Sequence, residues 1–284
     1  MGDGLACMGV PVTTFATAGE PIHPAFAEYA KIATLHSWGA EPGRTLAYEF
    51  SDGKLMHSAV RQLAEFTPEY IQSRCEEGVF QEACREASLI ALTDWSLYPH
   101  MTACWHYLQK NVFPEVASGT PFLIDLVDPS SRSEGDIREM LSALPGFQLI
   151  GPVTLGLNQN EANILSRFTD NRVLDNPNSD DTARQATSLR ETLQIHEVVI
   201  HSQKYAVCSG EEGEHCVDGP YCSNPKKSTG AGDRFNAGYA LGRLLDLDTE
   251  TRLLLAVATS GLYVRKGVSA TLPELSDFLR EWGS

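Results

Sequence analysis

Ser228-Thr229-Gly230-Ala231-Gly232-Asp233-Arg234-Phe235-Asn236-Ala237-Gly238 is a run of small residues that gives way to a carboxylate and then to an apolar helical pattern lasting to about Leu245. The glycines leave bare backbone amides. A helix starting there turns its unpaired N–H groups and the positive end of its dipole toward one point. Phosphate oxygens suit such a place. A carboxylate beside phosphate is unfavourable if binding is the only task. It makes sense as a base that takes a proton from a hydroxyl about to attack phosphorus. Read from this stretch alone, Asp233 fits equally well as a first-turn residue, where Asp favours the helix anyway.

Upstream of this loop, short apolar runs alternate with helical stretches. Ser88–Thr93 precedes a helix from His100 to Lys110, and Pro121–Pro129 precedes a helix from Glu134 to Leu144. Phe147–Ile150 and Glu197–Ile200 read as third and fourth strands. This alternation implies crossover units and a largely parallel sheet, with ligands beyond the carboxyl ends of the strands. Asp125, Asp128, His201 and Ser202 stand where apolar runs stop and are candidates for site or turn roles.

The earlier part reads differently. Ala6–Thr17, with Pro11 inside it, reads as a strand near an edge, and Pro21–Leu35 has helical spacing. Thr45–Phe50 and Leu55–His57 alternate around Asp52-Gly53, a strong hairpin cue, and suggest a ribbon with one wet face. Helical stretches follow from about Ser58 to Glu86, with Pro68 suited to a first turn. Asp170–Asp181 is polar and broken by Pro, a solvated loop. The expectation is one α/β domain over 1–284, with a lid hairpin at about 36–57 inserted in it.

The chain has 284 residues, 42% of them hydrophobic and 21% charged, which is ordinary for a globular protein able to bury a core. A formal charge of −15 argues against nucleic acid or an acidic membrane as partner. A local nest of amides can still bind phosphate. Seven cysteines without CxxC pairs do not form a disulfide framework, so a reducing cytoplasm is the simplest setting. Cys208, His215, Cys216 and Cys222 cluster, but their spacing matches no familiar zinc module. No apolar run approaches a membrane span, and the start lacks the regions of a signal peptide.

No GxxxxGK[ST] P-loop, full dinucleotide fingerprint, HRD or DFG occurs. A second element does: Asn158-Gln159-Asn160-Glu161, after Gly151-Pro152. An Asn and a Glu three apart at a helix start can hold hydrated Mg²⁺. The same spacing makes a capping box, with Asn158 as N-cap and Glu161 reaching back, and spacing favours the cap.

Taken in order, these pieces resemble the ribokinase-like (PfkB-type) carbohydrate kinase superfamily. Ser228 through Phe235 looks like its second signature, and Asn158–Glu161 like its Asn-x-x-Glu motif. Ala256–Val264 with Lys266-Gly267-Val268-Ser269-Ala270 and Pro273 is similar to the stretch lining its nucleotide pocket. Asp128-Pro129 resembles its Asp-x-Asn-Pro region, and the hairpin around Asp52-Gly53 resembles lid strands. The resemblance implies a ribokinase-like α/β fold: a mainly parallel sheet flanked by helices, with a small β-lid. It also implies an enzyme that moves the terminal phosphate of ATP to a hydroxyl of a sugar or small polyol. Asp233 would be the base, and Gly230, Ala231 and Gly232 would form an anion hole through the amides of Ala231, Gly232 and Asp233. Asn158 and Glu161 would hold Mg²⁺ through water; Asn158, Ser202, Ser228, Thr229 and Gly267 would contact nucleotide. A homodimer through the lid is part of this expectation.

Several positions depart from the pattern. Lys227 stands where the signature usually begins with Asp, a position associated with a monovalent cation; a fixed charge there leaves that cation open. His201–Ala206 replaces a glycine-rich turn, and a His-Ser strand end is closer to ADP-dependent members, so ADP stays open as donor. The first strand with its sugar-binding Asp, half the lid and a Gly-Gly-Asn loop have no counterpart. The expectation is a shortened isoform, a fragment or a divergent member. The rival to a kinase is a catalytically weak kinase-fold protein that binds nucleotide or sugar as a sensor or partner subunit.

Overall fold

The computed structural model describes residues 1–39, 41–50, 53–169 and 171–283. In chain order the first elements are α1 (Gly2–Cys7), β1 (Thr13–Ala16), β2 (Thr34–Ser37), β3 (Arg44–Phe50) and β4 (Gly53–Ala59). Next come α2 (Pro68–Cys75), α3 (Val79–Glu86), β5 (Ile90–Thr93), α4 (Met101–Asn111), β6 (Phe122–Asp125), α5 (Glu134–Gln148) and β7 (Val153–Asn158). The last are α6 (Gln159–Ser166), α7 (Ser179–Leu193), β8 (Glu197–His201), β9 (Tyr205–Gly210), β10 (Gly213–Asp218), α8 (Ala231–Leu244), α9 (Thr249–Lys266) and α10 (Leu272–Trp282).

The central sheet has the order β10-β9-β8-β7-β6-β5. The strands β5 to β8 are parallel, while β9 and β10 turn back antiparallel at one edge. Side chains of a strand point alternately to opposite faces, and here both faces are buried. Phe122, Ile124, Val153, Leu155, Leu157, Val198 and Ile200 pack into the core beneath α4, α5 and α7. Leu123, Val199, Ala206 and Cys208 face the other way, into a core shared with α1, α8, α9 and α10. Thr93, Asp125, Asn158 and His201 thus finish neighbouring strands at one edge of the sheet.

Several sequence expectations need correction. Phe147–Ile150 is no strand: α5 runs through to Gln148, with Phe147 fully buried against Trp105 and Phe122. The third parallel strand is Val153–Asn158, beyond Gly151-Pro152. A four-residue apolar run fits a buried helix end as well as a strand, and here tertiary packing decides. Residues 6 and 7 close α1, so only Thr13–Ala16 of the first segment is extended, and it pairs in parallel with β2. Pro21–Leu35 forms two short 3-10 turns, at Pro24–Phe26 and Tyr29–Lys31, before β2 begins at Thr34. The β9–β10 hairpin carries no turn signature that the sequence reading used.

The ribbon expected as a lid pairs β3 with β4 from Arg44↔Ala59 to Phe50↔Gly53. Ser51 and Asp52 of its turn lie outside the described residues, as do Ala40 of the 36–57 stretch and Asp170 of the polar loop. Leu46, Tyr48, Phe50, Leu55 and Met56 are all exposed, so both faces of the ribbon are wet, not one. Pro68 opens the first turn of α2, as the sequence suggests, and Thr67 caps it.

Helix α8 lies across the sheet, fixed at its inner end by a buried carboxylate. Glu197, at the start of β8, accepts from Arg252 Nη2 (2.6 Å), Tyr239 Oη (2.9 Å) and Thr154 Oγ1 (2.9 Å). These donors come from α9, α8 and β7, so one buried charge joins three elements. Without Arg252 the buried Glu197 charge is left with Arg243 as its arginine partner, at the longer distance of 3.5 Å. Arg252→Ala is therefore expected to lower the free energy of unfolding by about 3 kcal/mol in urea titration; a change under about 0.5 kcal/mol would mean that Glu197 is satisfied without it.

Candidate active site

The loop 228–230 turns into α8 at Gly230, whose φ of +89° is a left-handed conformation that a side chain would strain. Tyr263 Oη, from α9, donates to Thr229 O at 2.7 Å and fixes the loop from outside. Ala231 N–H donates to Ser228 O (3.1 Å), closing the turn. The amides of Gly232 and Asp233 follow at the second and third helical positions, where an α-helix offers no acceptor of its own. Of the three amides expected in the anion hole, that of Ala231 is thus already engaged by the loop.

Asp233 projects half-exposed from this first turn, and its Oδ1 lies 3.0 Å from the amino nitrogen of Met1, at the head of α1. Arg234 lies beside the loop, where a Cβ at Gly230 would stand 3.2 Å from its Nη1; it pairs with Asp3, donates through Nε to Ser269 Oγ (2.9 Å), and stacks 4.6 Å from the Tyr263 ring. His201 ends β8 beneath the turn, its ring 4.6 Å from that of Phe235. Burial holds its imidazole down at about 4, so it is neutral at any ordinary pH.

Two further carboxylates face α8 from the strand ends. Asp125 closes β6; its Oδ1 accepts from Val127 N (2.9 Å) and its Oδ2 from Asn236 Nδ2 (2.7 Å). Burial raises its pKa despite these hydrogen bonds, and the charge of Asp233 adds to the rise. Asp94 follows β5, with its Oδ1 buried and unpartnered. Burial first, then the charges of Asp125 and Asp233, push it up to about 7 against the opposing hydrogen bond from the Leu97 amide. Asp94 and Val127 sit at φ +66° and +59°. A β-branched residue in that region is strained, and such strain collects at functional sites. Ser96 holds this turn by donating to Leu126 O (2.7 Å) and Val127 O (2.9 Å). Arg132 Nη1 donates to Tyr98 O (2.9 Å), and its guanidinium lies 4.2 Å from the Trp95 ring.

The Asn158–Glu161 element forms the capping box in full. Asn158 Oδ1 accepts from Glu161 N (3.0 Å), and Glu161 Oε2 accepts from Asn158 N (2.9 Å). Glu161 is buried, and burial, with Asp125 and Asp128 nearby, pushes it up to about 7. Asp128 takes its turn role, accepting from Ser130 N at 2.9 Å. Ser202 does likewise: its hydroxyl donates to Tyr205 O and accepts from the amides of Lys204 and Tyr205. Gly267 ends α9 in the left-handed region, beside the Lys226 and Lys227 side chains. Ser228 and Thr229 lie in the loop itself.

Asp233, Gly230, Ala231 and Gly232 therefore share one turn with Ser228 and Thr229, while Asn158, Glu161 and Ser202 lie at the neighbouring strand ends of β7 and β8. Asp94 and Asn236 were not singled out from sequence. The signal for Asp94 was the same as for Asp125, a carboxylate where an apolar run stops. Asn236 offered a polar residue in an apolar helical stretch, one turn after Asp233. Among the described residues no three His, Cys, Asp or Glu side chains converge as a metal cage, which includes the cysteines near His215. Nor is any described helix long and apolar enough to cross a membrane.

A family model for prokaryotic ketohexokinases matches residues 1–282. A ketohexokinase of Haloferax volcanii is 29% identical over 272 residues, covering 95% of this chain and 71% of that protein. Among solved structures, a Burkholderia thailandensis nucleoside kinase in complex with inosine superposes with a TM-score of 0.68 at 13% identity, over 100% of this chain and 86% of that one. The ribokinase of Thermotoga maritima gives 0.67 at 14%, over 98% and 86%. At such identities the two structures speak to the fold, a ribokinase-like sheet flanked by helices.

The buried Asp94 has a consequence for stability. Its folded pKa, about 7, stands above the ordinary 3.8 of an Asp carboxyl, so the native chain keeps a proton that the unfolded chain has lost. Stability from this group is full below about pH 4 and is lost as pH rises through about 7. Asp94→Asn keeps the shape and tolerates the left-handed backbone. The variant is expected to lose less stability than the parent between pH 5 and 8, by at most about 3 kcal/mol. Parallel slopes in urea unfolding across that range would show that no proton is held there.

Proposed function

The chain belongs to the prokaryotic ketohexokinase family and is a carbohydrate kinase, and from that premise we propose that it moves the terminal phosphate of ATP to a hydroxyl of a ketohexose, with Asp233 as general base. One observation carries this reading. A half-exposed carboxylate and the first-turn amides of α8, which have no acceptor within the helix itself, emerge from the same turn, over the carboxyl ends of parallel strands. The sugar hydroxyl gives its proton to Asp233 while its oxygen attacks the γ-phosphorus. The bond from that phosphorus to the bridging oxygen breaks, and ADP leaves. Charge developing on the transferred group meets the amides of Gly232 and Asp233 and the positive end of α8. One such preorganised donor is worth about 3 kcal/mol of barrier.

The donor set at the start of α6 fits Mg²⁺. It is all oxygen, and Glu161 is a buried carboxylate in the field of Asp125 and Asp128. Glu161 and Asn158 would hold the ion through water, since the cap already occupies one lone pair on each. When bound, Mg²⁺ supplies charge neutralisation on the phosphate oxygens. Thr229, Ser228 and Gly267 line the loop side of the nucleotide in this reading, with Ser202 and Asn158 on the strand side. Lys227, its ammonium 5.9 Å from the Tyr263 ring, supports a fixed cation near the phosphates in place of a monovalent ion. The exposed apolar face of the ribbon, with Leu46, Tyr48, Phe50 and Leu55, supports a homodimer through the lid. Family membership favours the enzyme over a sensor.

Asp233→Asn is expected to lower kcat with ATP and fructose by about 10²–10⁴-fold. ATP affinity, measured calorimetrically in parallel, stays within about threefold. Unchanged kcat would remove Asp233 from the proton transfer. Loss of ATP binding together with activity would instead assign it to nucleotide binding.

A further inference from the structure

Helix α8 has to hold its first turn in place with no backbone hydrogen bonds to the sheet it covers. Within that turn and the next, Arg234 bonds to Asp3 and Ser269, and Phe235 packs on His201. Asn236, one turn beyond Asp233 and almost fully buried, reaches down. Its Nδ2 donates to Asp125 Oδ2 at 2.7 Å, and Asp125 in turn takes the Val127 amide of the strained turn after β6. The carboxamide fits because β7 has no side chain beneath it: a Cβ at Gly156 would stand 2.8 Å from Asn236 Oδ1. The next tie from α8 to the sheet, Tyr239 to Glu197, lies a further turn away.

We infer that Asn236 and Asp125 are positioning residues for phosphoryl transfer: their hydrogen bond, admitted by Gly156, sets where the first turn of α8 stands over the strand ends, and so aims Asp233 and its neighbouring amides. This rests on the reading of that turn as the transfer site. Neither residue touches the reacting atoms. Their loss acts on alignment, and a displacement of about 1 Å at a reacting centre can cost about 100-fold in rate. Because the substrate-contacting surfaces stay in place, kcat falls and KM barely moves.

The tie can be broken from either side and rebuilt. Asn236→Ala removes the donor, and Gly156→Ala displaces it without touching either partner. The exchange Asp125→Asn with Asn236→Asp restores the bond in reverse: the Asn at 125 keeps its oxygen on the Val127 amide and donates through nitrogen to the new carboxylate. Steady-state kinetics with ATP and fructose on these variants and on Asp233→Asn decide the matter, with hydrogen exchange of the amides of residues 234–238 alongside. Asn236→Ala and Gly156→Ala are expected to lose about 10–100-fold in kcat with KM for both substrates within about threefold, and to exchange faster in that segment. The exchanged pair recovers kcat to within about fivefold of the parent. Single variants with kcat within twofold of the parent and unchanged exchange overturn the inference, as does an exchanged pair no better than Asn236→Ala. Should fructose not turn over, the exchange rates alone decide. If Asp233→Asn retains activity while Asn236→Ala loses it, the base assignment fails and the positioning role stands.

Discussion

The structure depends on a helix end held over the edge of a sheet. An α-helix and a sheet share no backbone hydrogen bonds, so α8 is located only by packing and by side chains that cross the gap. Packing against α9 is close, since Cβ atoms at Gly238 would stand 2.6 Å from Thr259 Oγ1 and 2.7 Å from Leu255 O. Polar side chains then fix the position along the sheet: Tyr239 on Glu197 near the start of β8, and Asn236 on Asp125 at the end of β6. Rotation or sliding of α8 breaks one or the other. The first turn, where amides and carboxylate emerge together, inherits its position from contacts made deeper in the protein.

The electrostatics follow from the same arrangement. A chain of charge −15 has to accept a polyanion at one spot. In the proposed reading it does so with oriented amides, which carry partial positive charge without a counterion, and with Lys226 and Lys227 in the neighbouring loop and Arg234 beside Gly230. Beneath them the strand ends gather Asp94, Asp125 and Glu161, and burial lifts all three above their ordinary range. Carboxylates that resist ionising near a phosphate weaken the repulsion that full charges would exert there. Ordinary carboxylate pKa values would instead add several negative charges within reach of the donor's phosphates, at an energy set by a dielectric well below that of water.

What the sequence made legible divides along the range of the interactions involved. The start of α8, the Asn158 cap, Pro68 in the first turn of α2 and the β3–β4 pairing are local, decided by residues a few positions apart, and they read correctly. The strand at 147–150 did not, because four apolar residues satisfy a buried helix end and a buried strand alike, and only Trp105, Phe113 and Phe122 around Phe147 settle which. Pro21–Leu35 has helical spacing but resolves into 3-10 turns that deliver β2 beside β1. Asp94 and Asn236 escaped for another reason. The partner of Asn236 is 111 positions away, the charges that act on Asp94 come from the distant Asp125 and Asp233, and nothing in their own neighbourhood separates an Asp after a strand, or an Asn inside a helix, from one that merely meets solvent.

The Asn158–Glu161 element shows how two readings of one motif can be compatible. Spacing sets a helix cap against a metal ligand as alternatives. The cap is formed, and it engages one oxygen of each side chain. A carboxylate has about four lone-pair sites, so the amide it accepts leaves the outward-facing ones available. The amide also removes the freedom of a buried side chain to rotate, which a ligand to a strongly hydrated ion would otherwise lose on binding. The proton that burial encourages Glu161 to keep near neutrality is what a cation would displace. In the proposed reading, a cap of this kind holds the carboxylate in place for the ion, and positive charge there would offset the cost of burying it.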